Sequence, residues 1–175
     1  MEVEVRLLGR FQVRVDGRVL GPDAFGQRRA ADLVKLLALA HGHRLARDEV
    51  VERLWPHLAP DAGVANLHKA AHYARRALGA RDAVVLRQGM VELAPGGTVR
   101  TDVERFEAGD EDAYGGELLP DDRYEPWAAA EGDRGAAVVH LRRAAEGYAA
   151  AGQRLRAGQA AARLAQIDGA AAAPA

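Results

Sequence analysis

Hydrophobic and polar positions alternate at the start of the chain. Val3, Val5 and Leu7 are interleaved with Glu4 and Arg6, which predicts a strand. Phe11, Val13 and Val15 alternate with Gln12 and Arg14, predicting a second. Asp16-Gly17 is a type I′ hairpin signal leading into a third strand at Arg18, Val19 and Leu20. Gly21-Pro22 and Gly26 then mark a loop. The period changes from two to 3.6 over residues 28–41, where Leu33, Leu36, Leu37 and Ala40 share one helical face and Gly42 supplies a stop. Arg44, Leu45 and Ala46 form a short extended link. Residues 48–55 predict a second helix with Val50, Val51, Leu54 and Trp55 inward, ended by Pro56.

The most distinctive pattern is a third helix over residues 61–78, closed by Gly79. Val64, Leu67, Ala71, Ala74 and Leu78 form its apolar stripe, and Ala62, Asn66, Lys69, Tyr73 and Arg76 recur on the other side. No carboxylate occurs between Asp61 and Asp82, so this outer face is polar and basic. Two strands follow, residues 83–87 and 90–94, with Gln88-Gly89 as the turn of a hairpin (83–94). Residues 99–103 could add one more strand. Two further helices are expected over about residues 124–151 and 153–167, the first interrupted by Gly132, Gly135 and Gly147.

Charge sharpens this picture. The 175 residues carry a net charge of −1, yet residues 1–100 are at +5 and residues 101–175 at −6. Nearly all the positive charge is arginine, since Lys35 and Lys69 are the two lysines. A basic first half can meet phosphate; an acidic second half cannot. There is no cysteine, which excludes disulfides and thiolate zinc sites. The apolar run from Leu33 to Ala40 contains Lys35 and is too short to cross a bilayer, and the first residues do not form a secretory leader. A soluble, cytoplasmic protein is expected, with no membrane partner.

The order of strands, two helices, a basic helix and a hairpin is that of an α+β, winged helix-turn-helix domain with a small antiparallel sheet in front. In such a domain the third helix reads the major groove and the hairpin reaches the flanking backbone or minor groove. Asn pairs bidentately with adenine, and Arg or Lys with guanine.

The segments RRAADLVKLLALAHGHRLARDEVVERLWP, ANLHKAAHYARRALG and VVLRQGMVELAPGGTVRTDVERFE together resemble the DNA-binding domain of the Streptomyces antibiotic regulatory protein family, an OmpR/PhoB-type winged helix. AYGGELLPDDRYEPWAAAE resembles the start of that family's bacterial transcriptional activator domain, an all-α, tetratricopeptide-like unit. The resemblance implies a winged-helix DNA-binding domain at 1–103, a reduced helical activator-type domain at 104–168 and a disordered tail at 169–175. It implies a sequence-specific transcriptional regulator, an activator that binds double-stranded promoter DNA at direct repeats and engages RNA polymerase in the nucleoid. By position, Asn66, Lys69, His72, Tyr73 and Arg76 would read bases. Arg28, Arg29, Arg44, Arg47, Arg75, Arg87 and Gln88 would contact phosphate. Ala46 stands where the family often has a Ser or Thr helix cap, FEAGDEDA is shorter than the family's first activator-domain helix, and only two later helices follow. The same residues also fit a second reading, a protein-interaction module on a winged-helix scaffold that has lost specific DNA binding.

Other patterns give weaker signals. His68 and His72 lie four apart on one helix, but the HExxH glutamate and a third ligand are missing, so no metal is expected. Glu117, Asp121, Asp122 and Glu125 precede a helix start and are expected to cap it. Trp127 and Tyr148 are expected core anchors. No phosphate-binding glycine loop, no GxSxG elbow and no cysteine nucleophile occurs, so neither enzyme activity nor a cofactor is expected.

Overall fold

The computed structural model describes residues 1–128 and, beyond them, residues 159 and 162. The two helices expected over 124–151 and 153–167, and Tyr148, lie almost wholly or wholly outside the described residues.

Two small sheets flank three helices in an α+β arrangement. The first sheet contains β1 (Glu2–Arg6), β2 (Gln12–Val15), β3 (Arg18–Leu20) and β7 (Thr98–Thr101), in the order β3-β2-β1-β7. β1 and β2 pair antiparallel with Val3 opposite Val15 and Val5 opposite Val13, so one face of the ladder is a row of buried valines. Asp16 and Gly17 both adopt positive φ, 45° and 86°, as a type I′ turn requires. β7 pairs with β1 in parallel, so this sheet is mixed and not purely antiparallel. β7 ends at Thr101, before Val103. Thr101 and Glu104 form a reciprocal capping box that starts helix α4 (Asp102–Glu107) instead.

The second sheet is antiparallel and ordered β4-β6-β5, from β4 (Arg44–Ala46), β5 (Val84–Arg87) and β6 (Met90–Leu93). Helix α1 (Arg28–Leu39) precedes β4, and α2 (Arg47–Leu54) and α3 (Pro60–Leu78) run between β4 and β5. Ala46 is the N-cap of α2 and makes no side-chain cap bond, and Asp48 and Glu49 lie in the first turn where the helix dipole favours them. α2 and α3 cross so closely that a Cβ on Gly63 would stand 2.3 Å from Cγ1 of Val51.

α1 departs most from expectation. The apolar pattern predicts one inward face, yet every residue from Ala30 to Ala38 is buried. The helix also stops earlier: Ala40 is its extended C-cap, and Gly42, at φ 63°, shapes the separate turn His41–His43 that follows. The second face of α1 is covered by the chain after α4. Leu119, Trp127 and Ala128 belong to the same core as the valines of β1 and β2. Leu119 N–H donates to the Leu7 carbonyl at 2.9 Å, and Leu8 bridges Leu118. The approach needs Gly9 (φ 84°) against Gly115, where a Cβ on Gly9 would lie 2.6 Å from the Gly115 carbonyl oxygen.

Three buried carboxylates fix this packing. Asp102 accepts the Leu7 N–H at 2.8 Å and the Leu8 N–H at 3.0 Å, and burial holds its carboxyl above the ordinary value against the pull of those donors. Lys35 Nζ, buried on α1, donates to Asp122 at 2.6 Å, lies 3.6 Å from Asp32 and sits 4.7 Å over the ring of Phe11. Burial likewise raises the carboxyl of Asp32, opposed first by Lys35. The acidic group before residue 126 also makes ion pairs; the helix it was expected to cap lies almost wholly outside the described residues. Asp122 and Glu125 bind Lys35, Arg28 and Arg29, and Glu117 pairs with Arg123.

Gly63→Ala is expected to lower stability by about 1–3 kcal/mol through overpacking against Val51, although Ala alone favours a helix by about 1 kcal/mol. Urea unfolding that showed no loss would contradict the close crossing of α2 and α3. Asp32 gives a pH prediction. Its native pKa lies above the ordinary 3.8, so the native state holds its proton longer than the unfolded chain. The stability of the wild type relative to Asp32→Asn should then fall as pH rises from 3.8 through the raised value. A relative stability that rose over that window in parallel urea titrations would reverse the sign assigned to this burial.

Candidate nucleic-acid interface

α3 begins at Pro60, whose missing N–H costs nothing at a first helical position, with Asp61 complementing the dipole. It ends at Gly79, which takes a left-handed φ of 82° and donates its N–H to the Arg75 carbonyl. Gly63, Leu67, Ala70, Ala71, Ala74, Ala77 and Leu78 are buried. Ala62, Ala65, His68, Lys69, His72 and Arg76 are exposed, whereas Asn66, Tyr73 and Arg75 are partly buried.

The exposed face is thus rotated from the axis read in the sequence. The spacing centred it on Ala62, Asn66, Lys69, Tyr73 and Arg76; the structure centres it on Ala65, Lys69, His72 and Arg76. Asn66 lies at the edge and donates its amide Nδ2 to the Ala62 carbonyl at 3.0 Å. Tyr73 leans on the turn at Gly26, where a Cβ would stand 3.7 Å from its ring. Ala65 and His68 join the outer face. The neighbouring elements cause the rotation, since the turn Pro22–Phe25 packs against α3 on one side and the second sheet on the other. Lys69, His72 and Arg76 have no carboxylate partner among the described residues. Among those residues no group of three His, Asp or Glu could hold a metal ion.

The hairpin of β5 and β6 turns at Gln88 and Gly89, both at positive φ (50° and 75°). β4 pairs with β6, with Arg44 opposite Glu92 and Ala46 opposite Met90. The first N–H of α2, from Arg47, donates to the Gly89 carbonyl at 2.7 Å. Arg47, Arg87 and Gln88 are therefore brought together at the hairpin tip, with Arg44 two residues back along the sheet, and all four are exposed. Arg87 spans to the mostly buried Glu92 at 2.9 Å, and Arg47 to the exposed Asp48 at 3.2 Å, a surface pair of the weak kind.

The three other arginines expected at phosphate each have a partner within the fold. Arg28 and Arg29 at the start of α1 pair with Glu125 at 2.8 and 3.2 Å, and Arg29 also with Asp32 at 3.1 Å. Arg75 donates Nε to the Val84 carbonyl at 2.7 Å, pinning α3 to the root of the hairpin. Periodicity does not reveal such assignments, because Glu125 and Val84 come from other elements. No helix among the described residues is long and apolar enough to cross a membrane.

Comparison with known proteins places this geometry in a fold. No family model matches the chain, and no curated protein matches it. The solved structure of Mycobacterium tuberculosis EmbR, in complex with a low-affinity phosphopeptide, is similar to it with a TM-score of 0.61 at 18% identity. The match covers 86% of this chain and 46% of the EmbR chain, so the chain spans less than half the length of that protein. At this identity the likeness is one of fold.

Proposed function

We propose that the chain is a sequence-specific, DNA-binding transcriptional regulator. One observation carries this reading: the exposed face of α3 presents Lys69, His72 and Arg76 without carboxylate partners, on a fold shared with EmbR. In this reading α3 lies in the major groove, with Lys69 and Arg76 offering donors to guanine and Asn66 reaching in from the edge. Arg44, Arg47, Arg87 and Gln88 clamp the flanking backbone, a role that fixes register without reading sequence. Arg29 and Arg75 are engaged within the fold, whereas Arg28, as exposed as Arg87, stays in the phosphate-contacting set. Residues 1–103, with the segment up to Ala128 packed into their core, bind DNA as one unit placed on direct repeats in a promoter, and an activator-type function that meets RNA polymerase falls to the rest of 104–168.

The test is selection from random duplex DNA at about 150 mM salt, where non-specific phosphate binding is weak, followed by sequencing. One enriched motif is the expected result. Loss of all enrichment, with only weak salt-sensitive binding, would replace this reading with that of a protein-interaction module. On the selected site, Lys69→Ala and Arg76→Ala should each cost about 1–3 kcal/mol and relax specificity at one position. Arg44→Ala and Arg87→Ala should weaken all sequences alike and reduce the salt slope by about 1 each. Fluorescence anisotropy over a salt series separates the two classes, and wild-type affinity in all four variants would remove α3 and the hairpin from the interface.

A further inference from the structure

Tyr73 shares its helical spacing with the basic residues of α3, but its surroundings differ from theirs. Its ring is partly buried against the left-handed turn at Gly26. The His72 ring meets it edge-on, with centroids 5.6 Å apart and planes at 84°. The Arg76 guanidinium carbon lies 6.0 Å from the Tyr73 centroid, within reach of the negative face of the ring. Each of these contacts engages the ring, and no hydrogen bond engages the hydroxyl among the described residues.

This arrangement addresses a specific difficulty of reading bases with arginine. A bidentate contact to guanine O6 and N7 needs the planar fork held in one orientation, while an exposed arginine samples many rotamers. A neighbouring aromatic ring fixed by its own packing reduces that freedom before DNA arrives. Arg76 has such a ring beside it, one turn back on the same helix; Lys69, one turn before His72 and Tyr73, makes no cation–π contact among the described residues.

We propose that Tyr73 is a positioning residue: anchored on Gly26, its ring orients Arg76 toward one guanine, and the hydroxyl reads no base. The inference rests on the DNA-reading function proposed above. It also divides the outer face in two, a pre-oriented reader at Arg76 and a mobile one at Lys69, about 10 Å apart along the helix axis.

The experiment uses the full chain, the duplex motif recovered by selection, and copies with each guanine replaced singly by 7-deazaguanine, which lacks the N7 acceptor. The guanine whose replacement costs the wild type about ten-fold in affinity but costs Arg76→Ala nothing is the Arg76 guanine; Lys69→Ala assigns the other in the same way. Tyr73→Phe should keep both penalties, whereas Tyr73→Leu should lose most of the penalty at the Arg76 guanine and keep that at the Lys69 guanine. The Lys69 guanine is an internal control, because a folding defect lowers affinity for every duplex without erasing one penalty. Three results would overturn the inference and leave DNA reading intact: a loss in Tyr73→Phe equal to that in Tyr73→Leu, full penalties in Tyr73→Leu, or equal erosion of both penalties. Failure of the selection to yield any motif would overturn the DNA reading itself, and this inference with it.

Discussion

The fold depends on a helix that has no solvent side. α1 is enclosed by the first sheet, by α2 and α3, and by the chain from Leu119 to Ala128. Total enclosure of nine consecutive residues forces Asp32 and Lys35 out of water, and a buried charge is tolerable only when paired. Asp122 supplies the missing partner from 87 positions further along the chain. The segment after α4 is therefore part of the core of the preceding domain: removing Asp122 would leave Lys35 with Asp32 at 3.6 Å, a weaker arrangement inside the protein. The arginines at Glu125 extend the same set toward the surface, where solvent progressively screens them.

This dependence explains which parts of the structure could be read from the sequence. The three leading strands, the turn at Asp16 and Gly17, the second and third helices and the hairpin at Gln88 and Gly89 all follow from local period and turn chemistry, and all are present. These elements bury one face each, so a single stripe describes them. α1 buries every face, and its pattern of Leu33, Leu36 and Leu37 shows only the part that resembles an ordinary surface helix. Lys35 looked like an interruption because its partner lies beyond the range of any periodic signal. The pairing of the parallel strand β7 is equally opaque: it joins residues far apart in sequence, and nothing local distinguishes it from a third hairpin strand.

The candidate interface was legible to the same extent. Lys69, His72 and Arg76 were marked by spacing and by the absence of acids, and the structure exposes all three. Arg28, Arg29 and Arg75 carried the same sign but have been given to Glu125, Asp32 and the Val84 carbonyl. Charge identifies arginines that could meet a phosphate; only tertiary neighbours show which are already engaged. Asn66 and Tyr73 shifted to the edge for a related reason. The axis of a helix face is set by what packs on both its flanks, and the turn at Gly26 was visible in the sequence only as a loop.

The hairpin is held at both of its ends. Arg75 grips its root through the Val84 carbonyl, and the opening N–H of α2 grips its tip through the Gly89 carbonyl. Two backbone attachments on opposite ends leave the loop little freedom to swing against α3, so the pair behaves as a caliper with a set gap. For the proposed DNA reading, the distance between the bases probed by the helix and the strand touched by the hairpin is then a property of the protein and not of the sequence it meets. Duplexes that are narrower, wider or bent at that point would be sorted by mechanical fit before any base is examined, which makes local DNA shape a second criterion of recognition beside the donor pattern in the groove.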